Sequence, residues 1–380
     1  MNFPYSRQNI TKHDILEVTK VLKSDILSQG EVVVEFEKEI RSFVGSKYGF
    51  AVQNASCALI LACKSIGLKK GDIAWTTPNS FVATANCILH CNASIDFVDI
   101  DLNTFNISLE KLEEKLRIAK IKKKLPKLLI TVHLGGLPTD QKKIYNLSKK
   151  YDFKIIEDAS HSLGAVNAGE KVGSCKWSDI TIFSFHPVKV ITTGEGGFLT
   201  TNNRNYSKMI EMLRNNGITR EKKFLKNKKL FNLYYEQHYL GYNFRMSEIQ
   251  AALGLSQLKR LKKIIKRRNF LAKNYIKLIN YNNCSLVVQE VDKIKISSYH
   301  LFIVLVKNNF QIIKKLRKYK IFCNVHYKPI HLQPFFLKFG FKRGDFPNAE
   351  YYGDHAISIP IFYKLTTKEQ QEIIKKIFNV

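Results

Sequence analysis

Between about Phe50 and Thr200, short β-rich runs alternate with helical stretches, and no other feature of the chain restricts its fold as much. Ala93–Ile100, Lys127–Val132, Lys154–Glu157, Asp179–Phe185 and Gly197–Thr200 read as strands, each bounded by turn-forming or polar residues. Such alternation predicts an α/β domain around a largely parallel sheet. In sheets of that kind, ligands bind beyond the carboxyl ends of the strands, so the polar residues that follow each run are the ones to inspect. A chain of 380 residues has room for a large unit and a smaller one, each with a buried core.

The pattern changes near Asn243. Ser247 and Gln250 form a capping-box pair that opens a long helical stretch, with Ile249, Leu253, Leu258, Leu261 and Ile265 on apolar spacing. That stretch leads into a second unit, in which Ile294–Val306 and Ile321–Val325 read as strands and Lys368–Phe378 as a closing helix. The expected division is a large α/β domain over residues 1–265, including the N-terminal segment, and a smaller C-terminal α/β domain over 266–380. The Lys-rich run Glu221–Lys229 reads as a mobile loop.

Several chemistries are absent. Gly164 to Gly169 continue with Glu170 and Lys171, where a phosphate loop needs Lys followed by Ser or Thr. No G-x-G-x-x-G opens a helix, and Gly194-Glu195-Gly196-Gly197 leads into a strand, so it serves a turn. No His-Glu-x-x-His occurs, and His326 and His331 are isolated from other ligand types, so no metal site is expected. The 61 Lys and Arg against 32 Asp and Glu give a net charge of +29, spread along the chain as a solvated surface rather than gathered in a nucleic-acid-binding arm. Seven scattered cysteines suit a reducing compartment. Neither a signal-peptide pattern nor a membrane-length apolar run is seen, so the expected setting is the cytoplasm, with no membrane and no nucleic acid as partner.

Two strand ends carry the chemistry that is present. One reads Ile155-Ile156-Glu157-Asp158-Ala159-Ser160-His161, the other Phe183-Ser184-Phe185-His186-Pro187-Val188-Lys189, with Thr193-Gly194-Glu195-Gly196-Gly197 after it. A lone Asp after a strand more often caps a helix, and a lone Lys in a loop is usually solvated. Facing one crevice, however, they supply what pyridoxal phosphate chemistry requires: a lysine for a Schiff base and a carboxylate for the pyridine nitrogen.

The order of these motifs resembles that of the DegT/DnrJ/EryC1/StrS sugar aminotransferases. The likeness extends from about Tyr5 to Phe378 and includes Thr77-Pro78-Asn79-Ser80-Phe81-Val82-Ala83-Thr84-Ala85-Asn86 and Gly241-Tyr242-Asn243-Phe244-Arg245-Met246. The resemblance implies a fold type I, aspartate aminotransferase-like architecture and pyridoxal 5'-phosphate as cofactor. By the same resemblance Lys189 carries the cofactor and moves protons, Asp158 pairs with the ring nitrogen, His161 lies near the phenolic oxygen and Phe81 stacks on the ring. Ala55, Ser56 and Ser184 would meet the phosphate, joined by Asn243 of the neighbouring subunit, which makes a homodimer part of the site. Ser56 stands where relatives often have Thr, a change that keeps the hydroxyl. Leu27-Ser28-Gln29-Gly30, His161 and Val325-His326-Tyr327-Lys328-Pro329-Ile330 are most similar to the branch acting in pseudaminic-acid synthesis. That branch implies L-glutamate as amino donor and a UDP-linked 4-keto-6-deoxy-N-acetylhexosamine as acceptor. His326, Tyr327, Lys328 and Arg220 are the candidates for contact with the sugar nucleotide, the two cations for its diphosphate. Lys189 argues against the sugar dehydratases of the same family, which resemble this chain but carry His at that place.

Overall fold

The computed structural model describes residues 2–230, 233–281 and 286–378. Its centre is a seven-stranded sheet in the order Tyr48–Val52, Gly197–Thr201, Ile180–Ser184, Lys154–Asp158, Leu128–Val132, Ile73–Thr76, Ser94–Phe97. Gly197–Thr201 is antiparallel to both its neighbours, and every other adjacent pair is parallel. Leu128–Val132 is buried at every position, as expected of a strand covered on both faces. One face packs on the helices Ala55–Ser65 and Ala83–Leu89 through Leu59, Ala62 and Ile88. The other meets Ile144 of the helix Gln141–Tyr151 and Leu112 and Leu116 of the helix Leu109–Ile121.

The five expected strands are present, and two more, Tyr48–Val52 and Ile73–Thr76, precede or flank them. The capping box at Ser247 is formed in both directions, with the Gln250 amide donating to the Ser247 hydroxyl and the Ser247 amide to the Gln250 side chain. The long helix that follows is instead two, Glu248–Leu258 and Leu261–Tyr281. Neither Gly nor Pro divides them. At the junction Arg260 reaches back to the fully buried Asp14 at 2.6 Å, an ion pair supported by Ser256 and Gln257 on the same carboxylate.

A second core gathers the helix Leu261–Tyr281, the closing helix Thr367–Phe378 and an antiparallel sheet of Val287–Val288, Phe302–Leu305 and Ala356–Ile359. Of the expected strand Ile294–Val306, only Lys295–Ile296 and Phe302–Leu305 pair. Ser298 and Leu301 between them donate instead to the carbonyls of Gly136 and Gly135, which turns His300 towards the large sheet. Ile321–Phe322 is the paired part of the next expected strand, and its partner is Phe3–Pro4. Phe3 is buried in the C-terminal core, so the start of the chain packs with the unit from which the sequence division separated it. Glu221–Lys229, expected as a mobile loop, is tied to Glu236, whose carboxylate accepts from the amides of Lys226 and Asn227. Cys284 lies outside the described residues; the other six cysteines are free and buried.

Candidate active site

A cavity of about 650 Å³ opens at the carboxyl edge of the sheet. Asp158 ends one strand and Ser184 the next, so the pleat presents both at that edge. The preceding residue, Glu157, points to the opposite face, where its carboxylate accepts from His133 at 2.8 Å. Of the residues singled out in the sequence, Asp158, Lys189, Ala55, Ser56, Phe81, His161, Ser184, His326 and Tyr327 all line the cavity. Arg220, Asn243 and Lys328 do not, and all three are exposed.

Ala55 is the first residue of a helix capped by Asn54, whose side chain accepts from the Cys57 amide at 2.9 Å. With that amide taken by the cap, those of Ala55 and Ser56 are the helix-end donors left for an anion, in the field of the helix dipole. Ser56 is therefore not the cap itself. A Cβ at Gly197 would lie 2.4 Å from the Asn54 carbonyl oxygen, so only glycine lets the antiparallel strand pass this close to the helix start. Gly194, at φ +81, makes the turn before it. The glycine run thus shapes the anion cradle as well as the turn.

Asp158 is buried, with one carboxylate oxygen accepting from Thr84 at 2.6 Å and the other from the Ser160 amide at 3.2 Å. Lys189 follows a turn closed by its own amide on the His186 carbonyl. Burial lowers its pKa to about 8 against the opposing pull of Asp158, so roughly a tenth of it is unprotonated at neutral pH, several hundred times more than for an ordinary lysine. That gives an amine poised for attack on a carbonyl. Phe81 leaves 57% of its surface exposed at the cavity, a large apolar face ready to be covered.

The imidazoles are held neutral. Burial, reinforced by the charge of Lys189, keeps His161 well below the usual histidine range, and the same two causes bring His326 to about 3. His161 Nδ1 accepts from the Gly135 amide at 3.3 Å, so the proton resides on Nε2, which faces the Tyr327 hydroxyl at 3.2 Å. His326 turns Nδ1 to the Ser358 hydroxyl at 2.8 Å. Burial, with Asp158 nearby, pushes the Tyr327 phenol up, so it remains protonated. Sequence reasoning missed three residues here. The Tyr5 ring lies tilted against that of His326, with centroids 4.8 Å apart, Thr84 holds Asp158, and the His300 ring centroid is 4.5 Å from that of His161. Thr84 stood inside a quoted motif; the other two carried no local signal.

A doubly covered α/β sheet with a depressed-pKa lysine, a fixed carboxylate, an anion cradle and an uncovered aromatic face defines a pyridoxal-phosphate enzyme, and these residues fit that cofactor. The DegT/DnrJ/EryC1/StrS aminotransferase family model matches residues 8–378, and the chain belongs to that family. It is 36% identical over 383 residues to a UDP-4-amino-4,6-dideoxy-N-acetyl-beta-L-altrosamine transaminase of Campylobacter jejuni, covering 99% of this chain and 96% of the relative. Among solved structures it is similar to Helicobacter pylori PseC, an aminotransferase involved in the biosynthesis of pseudoaminic acid, with a TM-score of 0.87, 29% identity and coverage of 100% and 99%. It is also similar to the PLP form of the putative sugar aminotransferase Spr1654 of Streptococcus pneumoniae, with a TM-score of 0.89, 28% identity and coverage of 99% and 98%. The protein is accordingly a pyridoxal-phosphate-dependent aminotransferase. Among the described residues no helix is long and apolar enough to cross a membrane.

Proposed function

We propose that the protein transfers the amino group of L-glutamate to C4 of a UDP-linked 4-keto-6-deoxy-N-acetylhexosamine, giving UDP-4-amino-4,6-dideoxy-N-acetyl-β-L-altrosamine for pseudaminic-acid synthesis. The observation that carries this reading is the full-length likeness to the Campylobacter transaminase, together with a cavity that pairs Lys189 with Asp158. The cofactor supplies an electron sink that stabilises the carbanion formed when a proton leaves the donor's α-carbon.

This chain's residues divide the remaining work. Lys189 would hold the cofactor and then, as a free amine, take the proton from the donor's α-carbon and return it to the cofactor's carbonyl carbon; its depressed pKa suits both acceptance and return. Asp158 keeps the ring nitrogen protonated. His161 lies near the phenolic oxygen; with its proton on Nε2 it donates to the Tyr327 oxygen, which leaves the Tyr327 hydroxyl proton as the donor free for the sugar. Phe81 covers the ring face, a contact of about 0.5–1.5 kcal/mol beyond burial. Ala55, Ser56 and Ser184 bind the phosphate. His326 lines the sugar side. Asn243, exposed in its own chain, reaches the phosphate of a second copy, so the working unit is a homodimer. Arg220 and Lys328 meet the diphosphate from outside the cavity. Six free, buried cysteines favour a reducing cytoplasm.

The experiment is a panel assay with L-glutamate and several nucleotide keto-sugars. UDP-2-acetamido-2,6-dideoxy-β-L-arabino-hexos-4-ulose should be aminated at C4, in preference to its D-xylo C5 epimer by about 10–200-fold, the worth of one well-packed methyl. Equal efficiency on both epimers would leave the aminotransferase and remove the pseudaminic-acid assignment.

A further inference from the structure

The segment from Pro78 to Thr84 does more than present Phe81. Thr84, buried in the first turn of the helix Ala83–Leu89, places its hydroxyl oxygen 2.6 Å from Asp158 Oδ2. A carboxylate only accepts, so the Thr84 proton belongs to this bond. The Thr84 oxygen also lies 2.8 Å from the Ser80 hydroxyl, which must then be the donor of that pair. Ser80 and Thr84 therefore form a directed chain, Ser80 to Thr84 to Asp158, and each bond strengthens the next. The Ser160 amide holds the second oxygen. Lys189 and the protonated Tyr327 also lie near the carboxylate, but neither has a hydrogen bond to it among the described residues.

We infer that Thr84, backed by Ser80, is a positioning residue that sets how strongly Asp158 draws on the cofactor's ring nitrogen. This rests on the reading that Asp158 serves that nitrogen. A donor on Oδ2 spreads the carboxylate charge and fixes its plane, so the carboxylate holds the ring proton without removing it. Without that donor, the carboxylate becomes more basic, the shared proton shifts towards Asp158 and the ring withdraws fewer electrons. The nitrogen linking Lys189 to the cofactor then becomes more basic as well. The same seven-residue segment carries Phe81, so one stretch of chain controls both the face and the far end of the ring.

The test compares T84V, T84S and S80A with the wild-type holoenzyme. In T84V the pH midpoint of the bound cofactor's visible absorbance should rise, and kcat should fall about tenfold to a hundredfold, the range expected for one charge-assisted hydrogen bond. KM should change little. T84S should restore midpoint and rate, and S80A should move both in the T84V direction by less. Thermal melts control for folding; if T84V does not fold, the T84S and S80A pair still decides. An unchanged midpoint in T84V, or in S80A where T84V is lost, overturns the inference, as does a folded T84S that behaves like T84V. Borohydride labelling of Lys189 in each variant separates this outcome from failure of the cofactor assignment itself.

Discussion

Asp158 and Asn243 were both expected to touch the cofactor, and their surroundings could hardly differ more. Asp158 is buried and held through both oxygens by Thr84 and Ser160, on the central sheet. Asn243 is exposed and is tied to Asn215 by a single bridge. It ends the segment that begins at Ile218, on which Leu233 and Leu240 leave 76% and 89% of their surfaces bare. Arg220 on the same segment is exposed and lies over the ring of Tyr235. One region is complete within a single chain. The other offers apolar side chains and a cation outwards, as interaction surfaces do. Among the described residues the cavity lining includes Lys189 but no arginine, and the proposed dimer would bring the exposed cations of a second copy to it.

The largest expected effect breaks the buried half. Asp158→Asn keeps the size of the side chain but removes its charge, and turnover should fall roughly a hundredfold or more while cofactor affinity suffers less. Near-normal turnover, measured by steady-state assay, would move the ring-nitrogen role elsewhere.

A smaller effect probes the exposed half. Subunits of inactive Lys189→Ala mixed with an impaired Asn243→Ala protein should regain activity, because in a hybrid both defects fall in one site and leave the other intact. Random reassortment gives up to about half of one native site per dimer on average. No recovery, with hybrids confirmed by native mass spectrometry, would return Asn243 to its own chain's site or remove it from the chemistry.

The smallest effect is on stability. Lys189 titrates near 8 in the folded apoprotein, below its ordinary 10.5, so the unfolded chain binds more protons between those values. The charged lysine therefore destabilises the fold fully below pH 8, and stability recovers as pH rises towards 10.5. The Lys189→Met apoprotein should be more stable than wild type at pH 7 by up to about 3 kcal/mol, with the gap closing above pH 8. A gap that is constant with pH, in denaturant titrations, would contradict the burial of that amine.

The same contrast explains what the sequence revealed. The parallel sheet was legible because its strands are short apolar runs between helical stretches, and Asp158 and Lys189 stood out by their places at and just past strand ends, whereas Ser184 was marked only by the family resemblance. Tyr5 and His300 were not legible. Each reaches the cavity through long-range pairing, Phe3–Pro4 against Ile321–Phe322 in one case and Ser298 against Gly136 in the other. The break at Lys259–Arg260 was hidden for a similar reason, since the buried Asp14 that engages Arg260 lies far away in sequence. Local pattern records periodicity; it does not record which distant segment redirects a chain.

In the proposed reaction the cofactor sits between Asp158 and Lys189, joined to the latter. Borohydride reduction of the holoenzyme followed by peptide mass spectrometry tests it directly. A phosphopyridoxyl label is expected on the peptide carrying Lys189, and should be lost in Lys189→Ala even though that variant still binds cofactor noncovalently. A label on any other lysine of the wild-type protein would contradict it.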